Sequence, residues 1–557
     1  MIKKLYLPLV ALLVLALSSC GKMGELSPDY FTTNPEVLEA IAGKVPVTIT
    51  GKFPEKYFKK NATVEVTPVL RWNGGEAKGQ PAYFQGEKVQ GNDQVISYKA
   101  GGTYTMKASF DYVPEMAKSE LYLDFKIKRG KKEYTIPSVK IADGVIATSE
   151  LPTVNSANAA LAPDAFQRII KQAKEAQIMF LIQQANLRAS ELNSDSIKAF
   201  HKQVATVAGD TKGYKLNNIE ISAYASPDGG VKLNTTLSEN REKNTEKYMQ
   251  QQLKKGKINT ELDAKYTAQD WDGFQELVSK SSIQDKDLIL RVLSMYSDPE
   301  QRETEIKNIS SVYKTLADEI LPQLRRARLT ANYDIIGRSD DEINEAFDKE
   351  PQVLSVEELL YAATLTNDNA RKAAIYKKAA ELYPNDYRAY NNLGELAYVS
   401  DKAAAENYFK QAASKNANAP EVNTNLGLIE LVKGNVANAE NYLSKSSGAN
   451  TANEALGNLY IKQGQYDRAV SAFGDTKSNS AALAQILTKD YNKAKNTLAA
   501  VKNPDAYTDY LTAIVGARTN NADLVRSSMA KVAQKDAKLA AKATDDREFA
   551  KFANEIK

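Results

Sequence analysis

Ser226-Pro227-Asp228-Gly229-Gly230, followed by Asn234, Leu237, Ser238 and Arg241, gathers a hydroxyl, a carboxylate, a carboxamide and a guanidinium in one short stretch. Apolar spacing predicts a helix from about Ser238 to Leu253, which would put Arg241 in its first turn. A cation is disfavoured beside the positive end of a helix dipole. A carboxylate brought there would remove the conflict, because helix N–H groups and a guanidinium both hold anions. Two blander readings stand beside this one. Arg241 could pair with Glu239 or Asp228 on a solvated face, and Ser-Pro-Asp-Gly-Gly is also the pattern of an ordinary tight turn. Asn234 could cap the helix or hold the turn. Covalent chemistry has little support: the chain has one histidine, His201, and no P-loop, GxGxxG, GxSxG or HExxH pattern. The reading is therefore non-enzymatic, with no cofactor and no metal site.

The elements needed to position these residues are legible around them. Ile178 to Ile182 reads as a short buried strand, Ser194 to Val207 as a helix, and Ile219 to Ile221 as a second strand closing at Tyr224. Leu262, Ala264 and Tyr266 alternate as a third strand, and Leu329, Ala331, Tyr333 and Ile335 as a fourth. This βαβα-β-β order implies an α/β sandwich with both helices on one face of the sheet. Residues 268–326 interrupt it with two expected helices, Asp285 to Tyr296 and Arg302 to Leu321. They would form a cap beside the cleft or a partner surface.

With Tyr224 at the strand end and Asn234, Leu237, Ser238 and Arg241 in this order, residues 216–241 resemble the C-terminal, peptidoglycan-binding domain of the OmpA family. The resemblance implies that residues 166–340 bind peptidoglycan, with Arg241 gripping a wall-peptide carboxylate and Asn234 lining the pocket. Ser226 stands where that family has an aspartate for the ligand's ammonium, and Asp228 could supply the carboxylate from a shifted position. Arg325, Arg326 and Arg328 resemble the basic residues before the family's last strand; of these, Arg328 joins Ser226, Asp228, Asn234 and Arg241 as a candidate.

The N-terminus indicates where such a domain would work. Met1-Ile2-Lys3-Lys4, an apolar run from Leu5 to Leu17 and the ending Leu17-Ser18-Ser19-Cys20 have the layout of a cleaved signal, too short to span a bilayer. The ending resembles a bacterial lipobox, which implies removal of residues 1–19 and acylation of Cys20, with palmitate among the chains. More than one acyl chain makes anchoring stable. Cys20 is the single cysteine, so no internal disulfide or thiolate metal site exists. No acidic cluster follows it, which points to the periplasmic side of the outer membrane. Loss of Lys3 and Lys4 lowers the net charge from +4 to +2, and nothing calls for a nucleic-acid partner.

The 557 residues, 43% apolar and 25% charged, have the composition of several globular domains. After a tether at 20–27, residues 28–150 read with period two: Val47 and Ile49, Val64 and Val66, then Leu121, Leu123, Phe125 and Ile127. Turn signals at Asn73-Gly74-Gly75, Gly101-Gly102 and Arg129-Gly130-Lys131-Lys132 make this a β-sandwich-like domain. Residues 151–165, rich in Ala, Ser, Pro and Asn, read as a linker. From 351 to 557 the chain is helical. Tyr390-Asn391-Asn392-Leu393-Gly394 recurs as Asn423-Thr424-Asn425-Leu426-Gly427 and again as Leu456-Gly457, near the period of about 34 residues of tetratricopeptide repeats. Small and large residues follow in step: Ala405 with Phe409, Ala439 with Leu443, Ala469 with Phe473, then Ala494 with Leu498. Tyr510 to Met529 would make a further repeat. Such repeats stack into a superhelix whose concave face implies an envelope-protein partner.

The whole resembles envelope lipoproteins of the Bacteroidetes type: lipid-anchored in the outer membrane, tethered to peptidoglycan and recruiting a protein through the repeats. The alternative keeps the scaffold for a secretion, fimbrial or uptake assembly, with an OmpA-like domain that no longer binds peptidoglycan.

Overall fold

The computed structural model describes residues 23–283, 286–308 and 310–556. Cys20, the signal segment and Asp285 lie outside the described residues. Two compact units result: residues 165–365, and the remainder of the chain on either side of them.

In the larger unit, the period-two residues build two sheets over one core. One sheet pairs β1 (Phe31–Asn34), β3 (Lys44–Phe53) and β8 (Gly102–Asp111). The other runs β2 (Val37–Glu39), β10 (Lys132–Ile146), β9 (Ser119–Arg129), β4 (Ala62–Trp72), β6 (Ala82–Gly86) and β7 (Gln94–Ile96), with β5 (Gly75–Lys78) on β4. Val47, Ile49, Val64, Val66, Leu121, Leu123, Phe125 and Ile127 all point into the core between them. Alternation works here because one face of each sheet is dry.

The C-terminal part of the same unit is all-helical. Helix α6 (Asn369–Leu382) precedes hairpins of α7 (Tyr387–Tyr398) with α8 (Lys402–Lys415), α9 (Pro420–Val432) with α10 (Val436–Leu443), and α11 (Ala452–Lys462) with α12 (Tyr466–Phe473). Two more follow, α13 (Asn479–Leu487) with α14 (Tyr491–Ala499) and α15 (Ala506–Arg518) with α16 (Ala522–Lys535). The repeated Leu-Gly pairs mark where helices touch. A Cβ on Gly394, Gly427 or Gly457 would lie 2.4, 2.6 and 2.6 Å from Phe409, Leu443 and Phe473. Ala405, Ala439 and Ala469 are fully buried at the same contacts.

Residues 151–164, expected as a linker, are instead packed along these helices. Val154 and Ala157 belong to the core of the first repeats, and Ala160 and Ala162 are buried. Composition misled because small residues leave the backbone itself to do the binding. Together with Lys462–Glu150 at 3.2 Å and Arg547–Asp143 at 3.1 Å, this segment joins the β-domain and the repeats into one body.

The smaller unit holds β11 (Ile169–Met179), α1 (Asp195–Gly209), β12 (Tyr214–Tyr224), α2 (Val231–Gly256), β13 (Glu261–Thr267) and β14 (Arg326–Ile336), in sheet order β11-β14-β12-β13. Ile197, Phe200, Val204, Met249 and Leu253 pack onto Ile178, Ile219, Ile221, Ala327 and Leu329. The first strand ends before Leu181 and Ile182, which are exposed, because β11 is an edge strand buried on one face only. Between β13 and β14 lie α3 (Trp271–Lys280), α4 (Lys286–Met295) and α5 (Pro299–Asn308), with an apolar cluster of their own around Phe274, Ile289 and Leu324. Residues 340–362 belong to this unit rather than to the repeats.

Replacing Ala439 or Ala469 by Glu would bury an unpaired carboxylate between two helices. The expected cost is several kcal/mol, read as a lower midpoint in thermal unfolding followed by circular dichroism.

Candidate functional site

Helix α2 begins at Val231 after Gly230, not near Ser238. The Ser238 hydroxyl donates back to the Asn234 carbonyl at 2.8 Å, as a serine inside a helix does, so it caps nothing. Arg241 thus lies beyond the first turn, away from the exposed N–H groups. Its side chain is 1% exposed, contrary to the expected surface position. The guanidinium donates to three backbone carbonyls, those of Tyr224 at 2.8 Å, Gln184 at 2.9 Å and Leu181 at 3.3 Å, and lies over the Phe180 ring. It therefore pins the end of β12 and the loop after β11 to the helix. Burial, with Arg325's charge adding and Asp228's opposing, pulls Arg241 down to about 10, so it stays charged at neutral pH.

Asn234 holds the turn rather than the helix end. Its amide donates to the Ser226 carbonyl at 2.9 Å and the Gly229 carbonyl at 2.8 Å. Ser226 donates its hydroxyl to Asp228, and Asp228 pairs with Arg325 at 3.0 Å. Arg325 also reaches the Ser226 hydroxyl at 3.3 Å. Ser226, Asp228, Asn234 and Arg241 are therefore brought together, and Arg325 joins them. About 50 Å3 remains between these groups and Ile182, Gln183, Leu233 and Leu237, room for one or two waters. Trp271, Phe274, Ile306 and Leu316 of the insertion crowd Pro227 and Asp228 from the other side.

Arg328 is placed elsewhere. Ala327 and Leu329 face the helices, so strand alternation turns Arg328 to the opposite face of the sheet. Arg326, on that face, pairs with buried Asp270 at 3.0 Å and lies over Tyr224. Arg325 was the residue to find: it stands just before the strand, where a side chain can turn into the cleft. His201 is half-buried and bonded to the Tyr248 hydroxyl at 2.8 Å. Among the described residues no cluster of His, Cys, Asp or Glu has the makings of a metal site, and no helix is long and apolar enough to cross a membrane.

The repeats offer a second site, and it is filled. Asn425 accepts the Ala160 N–H at 2.6 Å and donates to the Ala160 carbonyl at 2.9 Å. Asn391 donates to the same carbonyl at 2.9 Å. Asn392 accepts from Ala162 N–H at 2.8 Å and donates to its carbonyl at 3.1 Å. Asn158 donates to Glu454 at 3.0 Å, the Tyr398 hydroxyl to the Val154 carbonyl at 3.1 Å, and Arg388 to the Asp164 carbonyl at 2.9 Å. Asn392 and Asn425 each precede the Leu of a repeat, and Asn391 and Glu454 each stand two before it. The signal lay in the recurring Asn-Leu-Gly motif.

No protein-family model matches the chain, and no curated protein does. Among solved structures, a tetratricopeptide repeat protein from Parabacteroides merdae shares 13% identity over 39% of this chain and 90% of its own, with a TM-score of 0.28. PilW, a type IV pilus biogenesis factor, shares 20% over 32% and 91%, with a TM-score of 0.26. YrrB, a repeat protein described with an unusual peptide-binding site, shares 17% over 39% and 97%, with a TM-score of 0.19.

Arg241→Ala would remove three hydrogen bonds made by a buried guanidinium, each worth roughly 1.5–3 kcal/mol. Its expected effect is loss of stability of residues 165–365 by about 3 kcal/mol or more, measured by urea unfolding, rather than a clean loss of binding.

Proposed function

We propose that this chain is a non-enzymatic scaffold of the cell envelope whose OmpA-like central domain holds its ligand position closed with its own side chains. The observation that carries this reading is the ion pair of Arg325 with Asp228 inside a cleft of about 50 Å3. The carboxylate offered to a ligand's ammonium is already neutralised, and Arg241 already spends hydrogen bonds on three carbonyls. The sheet order β11-β14-β12-β13, with both helices on one face, supports the OmpA-like assignment. The lipobox at Cys20 supports attachment to the outer membrane, and the repeats support a protein partner.

Peptidoglycan binding is the second reading. It is favoured by Arg241 lining the cleft beside Asn234, where a wall-peptide carboxylate would need a guanidinium. Opening the cleft would require breaking the Arg325–Asp228 pair.

Sedimentation of the mature chain with isolated sacculi separates the two. The parent is expected to stay in the supernatant. Arg325→Ala combined with Ser226→Asp frees one carboxylate and adds another; a charge-assisted contact of roughly 1.5–3 kcal/mol would raise binding by about one to two powers of ten. Sedimentation of the parent, unchanged by Arg325→Ala, would overturn the closed-cleft reading.

A further inference from the structure

The face made by α7 and α9 binds main chain, and Glu454 of α11 adds a bond to the Asn158 side chain. Asn391, Asn392 and Asn425 are nearly or fully buried, and their carboxamides meet both the N–H and the C=O of Ala160 and of Ala162. A carboxamide has one acceptor and two donors, so each can answer an extended backbone much as a neighbouring strand would. The three are also bonded to one another, Asn425 to Asn391 at 2.9 Å and Asn391 to Asn392 at 3.1 Å, which fixes their orientation before any peptide arrives. Ala160 is 0% and Ala162 1% exposed, so both methyls are covered, and a residue much larger than alanine at either position would have to displace what covers it.

We propose that this face is a site for an extended peptide with alanine at two alternate positions, that residues 153–164 occupy it as a displaceable latch, and that the scaffold's partner engages it by presenting a segment of the same chemistry. The site is built from the repeats alone, and its ligand reaches it through the chain. Tethering gives the segment a high effective concentration, so modest intrinsic affinity is enough to keep it seated. Its anchors suit exchange: Val154, Ala157, Ala160 and Ala162 bury small side chains, and the hydrogen bonds of Ala160 and Ala162 are ones that an incoming backbone would reproduce one for one. The proposal rests on the scaffold reading for its biological use, but its chemistry is independent of the sacculus result.

The test uses the full mature chain and a fluorescent synthetic peptide spanning Pro152 to Ala165. Ala160→Arg with Ala162→Arg should evict the resident segment, and the peptide should then bind at least tenfold tighter than to the parent. Adding Asn391→Ala and Asn425→Ala should remove that gain, and a peptide carrying leucine in place of both alanines should fail to bind. Equal binding to parent and evicted chain, or binding to neither, overturns the proposal. Elastase digestion provides a second arm that does not depend on the arginine variant folding. Asn391→Ala with Asn425→Ala should speed cleavage within residues 157–162 about tenfold over the parent, and equal rates overturn the latch.

Discussion

A backbone amide removed from water has to find a partner, and those of Ala160 and Ala162, with the Asp164 carbonyl, find theirs on the side chains of the repeats. That constraint organises the larger unit. Without Asn391, Asn392 and Asn425, the buried N–H and C=O of Ala160 and Ala162 would have no partners, and the segment would stay in solvent. With them, a stretch poor in apolar side chains becomes part of the core of the first repeats. The β-domain is thereby held to the helical array by its own connecting chain as well as by Lys462–Glu150 and Arg547–Asp143.

The smaller unit solves the same problem with a charge. The carbonyl of Tyr224 at the end of β12 and those of Leu181 and Gln184 in the loop after β11 converge where the sheet meets the turn, and Arg241 supplies donors to all of them. A buried guanidinium is tolerated because its hydrogen bonds are made, and it needs no carboxylate beside it. Arg325 then neutralises Asp228 from the far end of the insertion. Two places at which sequence logic expects an outside ligand are thus occupied by the protein itself.

Much of this was legible in the residues. Alternation at Val47, Ile49 and Leu121 to Ile127 gave the β-sheets because one face of each is dry, and Ala405, Ala439 and Ala469 gave the helical hairpins because contact distance excludes anything larger. The βαβα-β-β order was legible too, although its first strand was expected at Ile178 to Ile182 and lies at Ile169–Met179, and α3 (Trp271–Lys280) was not expected. Three other features were hidden. Polar residues from Lys232 to Asn240 hid the first turns of α2, since a helix whose exposed face is Lys, Thr and Glu looks like a loop. Arg241 reads as a surface cation because nothing local reveals the carbonyls of Leu181 and Gln184, which arrive from another element. Residues 151–164 read as a linker because hydrogen-bonding capacity of the main chain leaves no trace in side-chain composition.

The larger unit depends on the occupation of the repeat face by residues 153–164. Hydrogen–deuterium exchange of the full chain, resolved to the amides of Ala160 and Ala162, tests it directly. Both N–H groups donate to buried asparagine carboxamides, so exchange slowed by at least about a hundredfold relative to an unstructured alanine amide is the result expected. Exchange at the rate of a free chain at both positions would contradict it.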